Sequence, residues 1–283
     1  MPHPHGLPTE LAQITRTLVM GVVNVTPDSF SDGGKFDTTA SAIEHGLKLA
    51  NDGADIVDVG GESTRPGAQR VTLEQELERV IPVVTELVAK SVVVSVDTMR
   101  AAVAEQAISA GAHIINDVSG GQADRAMFSV IAKAQVPYVM MHWRGHSTEM
   151  VDNANYQDVV QEVKAELSGQ LSKAIEAGIA VERIVLDPGL GFAKSVEQNW
   201  PLLKHLSEFI ELGAPLLVGA SRKRFLGELL ASGGVQREVS LREAATTAVT
   251  TILAQQNIWA VRVHDVVAAR DAIAVVEKLE NLV

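Results

Sequence analysis

No cysteine occurs among the 283 residues, which excludes disulfides, thiolate zinc sites, iron–sulfur ligation and a cysteine nucleophile. Basic residues are in deficit. Only 24 Lys and Arg face 35 Asp and Glu, and the formal charge of −11 argues against a polyanion-binding surface and so against nucleic acid as a partner. No apolar run approaches the ~20 residues of a membrane span. The first twenty residues lack the basic start and apolar core of a secretory leader. The chain is therefore expected to have no membrane partner and to work in the cytoplasm. Low-complexity tracts are missing as well, and a hydrophobic fraction of 46% is too high for a disordered chain.

What is present is a regular alternation. Short β-branched runs fall at 18–25, 55–59, 92–97, 113–118, 136–142, 183–187, 215–219 and 259–264. They read as continuous apolar stretches, as strands buried on both faces do. Helical patterns lie between them at 40–51, 73–89, 101–110, 158–177 and 241–255, and 266–282 supplies a final helix. Eight strand–helix units without a break in composition predict an α/β chain folded as a single (β/α)8 TIM barrel over 18–283. An eight-stranded doubly wound sheet is the rival arrangement. Residues 1–17, rich in Pro and Gly, read as a loose N-terminal arm.

Polar residues recur at the C-terminal ends of these strands, the end where barrels of this kind carry their active sites. They are Asn24, the run from Asp58 through Thr64, Arg65, Pro66 and Gly67, Asp97, Asn116 and Asp117, His142, Asp187 to Phe192, Ser221 to Lys223, and Arg262 to Asp265. Asp58 and Asp117 read as ordinary caps or loop-amide acceptors. Asp97, Asn116 and Asp187 form an acceptor-rich floor suited to a flat ring with amidine-like N–H donors. Lys223, Arg262 and His264 come from strands seven and eight, whose following loops are the usual phosphate site of the fold, with Thr64 and Asn24 nearby around the closed barrel. A ligand matching both halves has a donor-rich heterocycle at one end and an anionic tail at the other. Glycine-rich loops at 26–34 and 60–67 read either as lids over that mouth or as ordinary turns.

Other apparent motifs are set aside. His142 and His146 stand four apart but lack the glutamate of a zinc helix, and Gly189 and Gly191 are followed by Lys194 where a dinucleotide fingerprint needs glycine. Ser221 is not in a nucleophile elbow. The chemistry expected is one without a covalent enzyme intermediate.

Together the segments 20–34, 58–67, 95–98, 116–121, 187–192, 221–227 and 262–265 resemble the dihydropteroate synthase family, in that family's order over nearly the whole chain. The runs Met141-His-Trp-Arg144 and 187–194 look most like its actinobacterial branch, and 145–156 and 230–240 are least like the family pattern. The resemblance implies condensation of 7,8-dihydropterin-6-ylmethyl diphosphate with 4-aminobenzoate, in a homodimer formed through the last helices, with sulfonamides competing for the aminobenzoate place. By motif it implies pterin contacts from Asp97, Asn116, Met140, Asp187 and Lys223, and diphosphate contacts from Thr64, Arg262 and His264. Arg65, Pro66, Phe192 and Ser221 would frame the aminobenzoate, and Asn24 would help hold Mg²⁺. Two alternatives remain at this point. One is a pterin-binding methyltransferase barrel, disfavoured because its chemistry has no diphosphate for 221–223 and 262–264 to hold. The other is a pterin-binding paralogue without catalysis.

Overall fold

The structure, a computed structural model, describes residues 3–26, 38–63, 70–146 and 153–282. A short helix, α1 (Thr9–Ala12), precedes the alternation β1 (Leu18–Asn24), α2 (Thr38–Asn51), β2 (Ile56–Gly60), α3 (Leu73–Ala89), β3 (Val94–Asp97), α4 (Ala101–Ser109) and β4 (Ile114–Asp117). It continues through α5 (Met127–Ala134), β5 (Tyr138–Met141), α6 (Val159–Glu176), β6 (Ile184–Asp187), α7 (Asn199–Lys204), α8 (Leu206–Ile210) and β7 (Leu217–Val218). It ends with α9 (Arg224–Leu229), α10 (Glu243–Gln255), β8 (Ala260–Val263) and α11 (Val266–Glu280). Local sequence explains several starts. Thr72 and Gln75 form a reciprocal capping box on α3, and the Asp158 and Asp265 carboxylates accept backbone N–H groups at the starts of α6 and α11.

Every strand pairs in parallel, in the order β6-β5-β4-β3-β2-β1-β8-β7. The two end strands of that order, β6 and β7, also meet, through the Leu186–Leu216 bridge, so the sheet closes on itself as a (β/α)8 TIM barrel, and the doubly wound alternative falls away. The seam between β6 and β7 is the thinnest. There a single bridge joins Leu186 and Leu216, with the Leu186 N–H on Pro215 O at 2.9 Å. The strand expected over 215–219 is reduced to Leu217–Val218.

Alternation along the strands sorts the side chains into two cores. Leu18, Met20, Ile56, Ile114, Val139, Val185, Leu217 and Ala260 meet inside the barrel, while Val19, Val57, Val96, Ile115, Met140, Leu186 and Val261 pack outward under the helices. The inner set fills the lower barrel. Continuing each inward row toward the C-terminal ends brings Asn24, Asp58, Asp97, Asn116, Asp187 and Arg262 to one mouth, so burial below and charge above follow from the same period of two.

The expectation of a loose arm is corrected. Leu11 packs into the inner core with Trp259, and the Trp259 indole N–H donates to His3 Nδ1 at 3.1 Å. Arg16 pairs with both oxygens of Asp55 at 2.8 Å, and Thr17 donates to Ile258 O. The segment plugs the barrel bottom because the barrel interior there is apolar and otherwise open to water. Leu11→Ala is expected to lower unfolding free energy by about 2–3 kcal/mol through lost burial and a residual cavity. Chemical denaturation should register the loss while kcat/KM holds at the wild-type value, since the plug lies at the end away from the mouth.

Candidate active site

Three acceptors form the floor. Asp97, Asn116 and Asp187 are all buried and stand at the ends of β3, β4 and β6. Asn116 Nδ2 donates to Asp58 Oδ2 at 3.1 Å, and Asp187 Oδ1 accepts the Gly189 N–H at 2.7 Å. Burial pushes the Asp97 carboxyl up to about 7 against the pull of Arg262, and the Asp58, Glu76 and Asp117 charges add to the rise. Asp187 is raised for the same reason, with Lys223 the main opposing charge.

The basic side is built from β8 itself and from the segments after β7 and β8. Lys223 Nζ donates to Leu190 O and lies 4.6 Å from the centre of the Phe192 ring. Desolvation brings its ammonium down to about 8, although the Asp187 carboxylate favours the charged form. Arg262 donates from Nε to Asp58 Oδ2 at 2.6 Å and from Nη2 to Asp97 Oδ2 at 2.8 Å. Ser221 Oγ lies 2.9 Å from His264 Nδ1 and accepts the His264 backbone N–H at 3.2 Å, so the two loops hold each other in place.

The turn after β6 has its own support. Gly189 and Gly191 adopt φ of +70° and +76°, and a Cβ on Gly189 would come within 2.6 Å of His142 O. Lys194 reaches under this turn to Gly189 O and Phe192 O, both at 3.0 Å, and donates to His142 Nδ1 at 3.0 Å. His142 therefore carries its proton on Nε2 and donates to Glu166, at 2.9 Å. Burial pushes the Lys194 ammonium down to about 7 and the His142 imidazole to about 4. These groups brace the floor from outside and were not singled out from sequence as a site. On the opposite side, Glu62 pairs with Arg70 and Arg100 at the base of the loop after β2.

The structure brings together Asp97, Asn116, Asp187, Lys223, Arg262, His264, Ser221 and Phe192 around one mouth, with Asn24 half-buried at the end of β1. Two readings change. Met140 packs in the outer core, and the inward position at the end of β5 is Met141, because Val139 two residues earlier faces the barrel interior. Asp58 is not a cap or loop acceptor. It is fully buried inside the barrel beneath Arg262 and Asn116. Counting in twos from Ile56 would have placed it there. Asp117 does behave as expected, accepting from Ser119, Gly121 and Tyr138 on the helix side. Thr64, Arg65, Pro66 and most of the two lid readings lie outside the described residues.

Among the described residues no group of three or more His, Asp or Glu side chains could cage a metal. The donor present is the Asn24 amide oxygen. A hard-oxygen donor of this kind is compatible with Mg²⁺, which takes few protein ligands and keeps several waters. No helix among the described residues is long and apolar enough to cross a membrane.

Comparison with known proteins places these features in context. The pterin binding enzyme family matches residues 20–264. The dihydropteroate synthase of Mycobacterium leprae (strain TN) is 52% identical over 260 residues, covering 91% of this chain and 92% of the relative. The Xanthomonas albilineans dihydropteroate synthase structure with 4-aminobenzoic acid superposes with a TM-score of 0.88 at 45% identity, over 95% of this chain and 94% of the other. The same enzyme in complex with 7,8-dihydropteroate gives 0.85 at 42% identity, over 95% of both chains.

Proposed function

This chain belongs to the dihydropteroate synthase family of pterin binding enzymes, and from that premise we propose how its barrel mouth performs the reaction. The protein is a transferase that condenses 7,8-dihydropterin-6-ylmethyl diphosphate with 4-aminobenzoate, giving 7,8-dihydropteroate and pyrophosphate. The observation that carries the residue-level reading is the meeting of buried acceptors (Asp97, Asn116, Asp187) with cationic donors (Lys223, Arg262) across one mouth.

The N–H edge of the pterin lies on Asp97, Asn116 and Asp187, where paired charge-assisted bonds select a ring with donors in that pattern. Lys223 donates from the other side, and Met141 takes the apolar contact first assigned to Met140. The diphosphate lies toward Arg262 and His264, with Thr64 read from sequence as a third contact. Asn24 would hold Mg²⁺, which supplies Lewis acidity toward the leaving pyrophosphate. Phe192 and Ser221, with Arg65 and Pro66 from sequence, frame the aminobenzoate. The aromatic amine is neutral at pH 7 and needs no strong base. The C–O bond to pyrophosphate breaks, the amine nitrogen then bonds to the pterin methylene, and the amine proton is released. Arg262 and His264 donors stabilise the charge growing on the leaving group. The carboxylates beneath the ring stabilise positive character at the methylene, which favours a dissociative path.

Pyrophosphate release that requires both the pterin diphosphate and 4-aminobenzoate is the test. Release without the amine, or none with both, would overturn the reading. A sulfonamide should raise the apparent KM for 4-aminobenzoate without changing kcat.

The protein is further read as a homodimer. α10 and α11 pack against each other and leave Ile252, Val267, Val275 and Leu279 exposed, with Leu282 exposed just past the end of α11. A twofold interface would cover such a face. Light scattering at micromolar concentration should give twice the chain's 30.2 kDa, and a monomer mass would count against it. A substrate bearing a diphosphate does not cross a bilayer unaided, so the enzyme is read as working in the cytoplasm where that substrate is made.

A further inference from the structure

Arg262 lies folded inward, onto the floor. Its Nε is on Asp58 Oδ2 at 2.6 Å and its Nη2 on Asp97 Oδ2 at 2.8 Å, and both carboxylates are buried. A guanidinium is a planar fork of N–H donors. So is the amino-pyrimidinone edge of a pterin. The side chain read as a diphosphate ligand thus already satisfies a carboxylate read as a ring ligand, and the same oxygen cannot serve both at full strength.

We propose that Arg262 is an internal stand-in for the pterin ring: the incoming ring displaces Nη2 from Asp97, and the guanidinium, still tethered at Nε by Asp58, turns to the diphosphate. The proposal rests on the ring assignment of Asp97 made above. Two features favour exchange over a fixed pair. The two ends of the guanidinium lie on different carboxylates, so one bond breaks while the other holds. The neighbouring wall at Gly219 carries no side chain, so nothing from that position packs against the Arg262 stem, whose Cβ would lie 3.8 Å from a Cβ placed there.

The exchange makes Arg262 a specificity determinant. A pterin carrying only a hydroxymethyl group must break the Arg262–Asp97 bond and offers nothing in return. The diphosphate ester breaks the same bond and re-engages the freed donors. Arg262 therefore penalises the alcohol and rewards the ester. Asp58 is a positioning residue that acts through Arg262. Without its pull, the guanidinium settles more firmly on Asp97.

Calorimetric titration with three probes tests this: 6-hydroxymethyl-7,8-dihydropterin, its diphosphate, and inorganic pyrophosphate. In Arg262→Met the hydroxymethyl pterin should bind about threefold or more tightly than in wild type, while the diphosphate ester and pyrophosphate lose about tenfold or more. Arg262→Gln, which keeps a polar side chain, should show the same crossing if the methionine variant folds poorly. Asp58→Asn should weaken the hydroxymethyl pterin about threefold, and the double variant with Arg262→Met should recover the tighter binding of Arg262→Met alone. A hydroxymethyl pterin that binds equally or more weakly in both Arg262 variants overturns the exchange. A double variant as weak as Asp58→Asn overturns the tether. Wild-type protein that binds neither pterin overturns the functional reading itself, and the exchange with it.

Discussion

Asp187→Asn, and separately Asp97→Asn, is expected to lower kcat/KM at least tenfold with the fold retained. Each carboxylate offers only acceptors to the N–H edge of the pterin, whereas an asparagine presents an NH₂ group toward it. The loss is a charge-assisted bond worth about 1.5–3 kcal/mol, which is roughly ten- to a hundredfold in rate. At Asp97 the effect has a pH signature. Burial pushes this carboxyl up to about 7, so the free enzyme holds the acceptor form only above that pH. Wild-type kcat/KM should therefore fall as pH drops through about 7, and Asp97→Asn should lose that limb. Linkage explains why structure survives. The folded state keeps the Asp97 proton to about 7 and the unfolded chain releases it near 4, so this group's contribution to stability declines as pH rises between those values. Asparagine removes that ionisation and still offers Arg262 an oxygen. Near-normal kinetics in either variant would remove the role assigned to that residue.

Gly189→Ala is expected to be nearly as damaging, for a backbone reason. Its φ of +70° costs an L-residue about 1–2 kcal/mol. The new Cβ would also stand 2.6 Å from His142 O, a carbonyl rather than a flexible side chain, so the turn itself must move. That turn aims the Gly189 N–H at Asp187 Oδ1 and seats Lys194 beneath it. A stability loss of about 2–4 kcal/mol should accompany a fall in kcat/KM of about tenfold or more. Gly213→Ala is the control. Its φ is +85°, but no heavy atom lies within 4 Å of the new Cβ, so only the conformational cost should appear and kcat/KM should hold. Equal kinetic losses in the two variants would show that the His142 contact has no special role.

Much of this was legible in the sequence because continuous β-branched runs and strand-end charges are local signals. The helix over 73–89 was read at the bounds observed for α3, and the acidic floor and basic rim follow from which strand each residue ends. Met140 was misplaced because both faces of β5 are buried and apolar, so the run YVMM carries no alternation to say which methionine faces inward. Asp58 was misread because an aspartate near a strand end looks the same whether it caps a helix or lies under an arginine from β8, two hundred residues away. The arm read as loose because its few apolar residues find their partners only once the barrel has closed around Trp259.

The thin seam between β6 and β7 has a mechanical consequence. Elsewhere the strands of the cylinder are laced together by ladders, but at this junction one bridge at Leu186 and Leu216 does the fastening. Asp187 ends the strand on one side, and Lys223 follows the strand on the other. A ring gripped by both residues, as the proposed assignment has it, would span the gap like a rivet. Occupancy and the integrity of the cylinder are then linked: the ligand that fills the mouth also completes the hoop, and one that grips a single side fills the space without closing it.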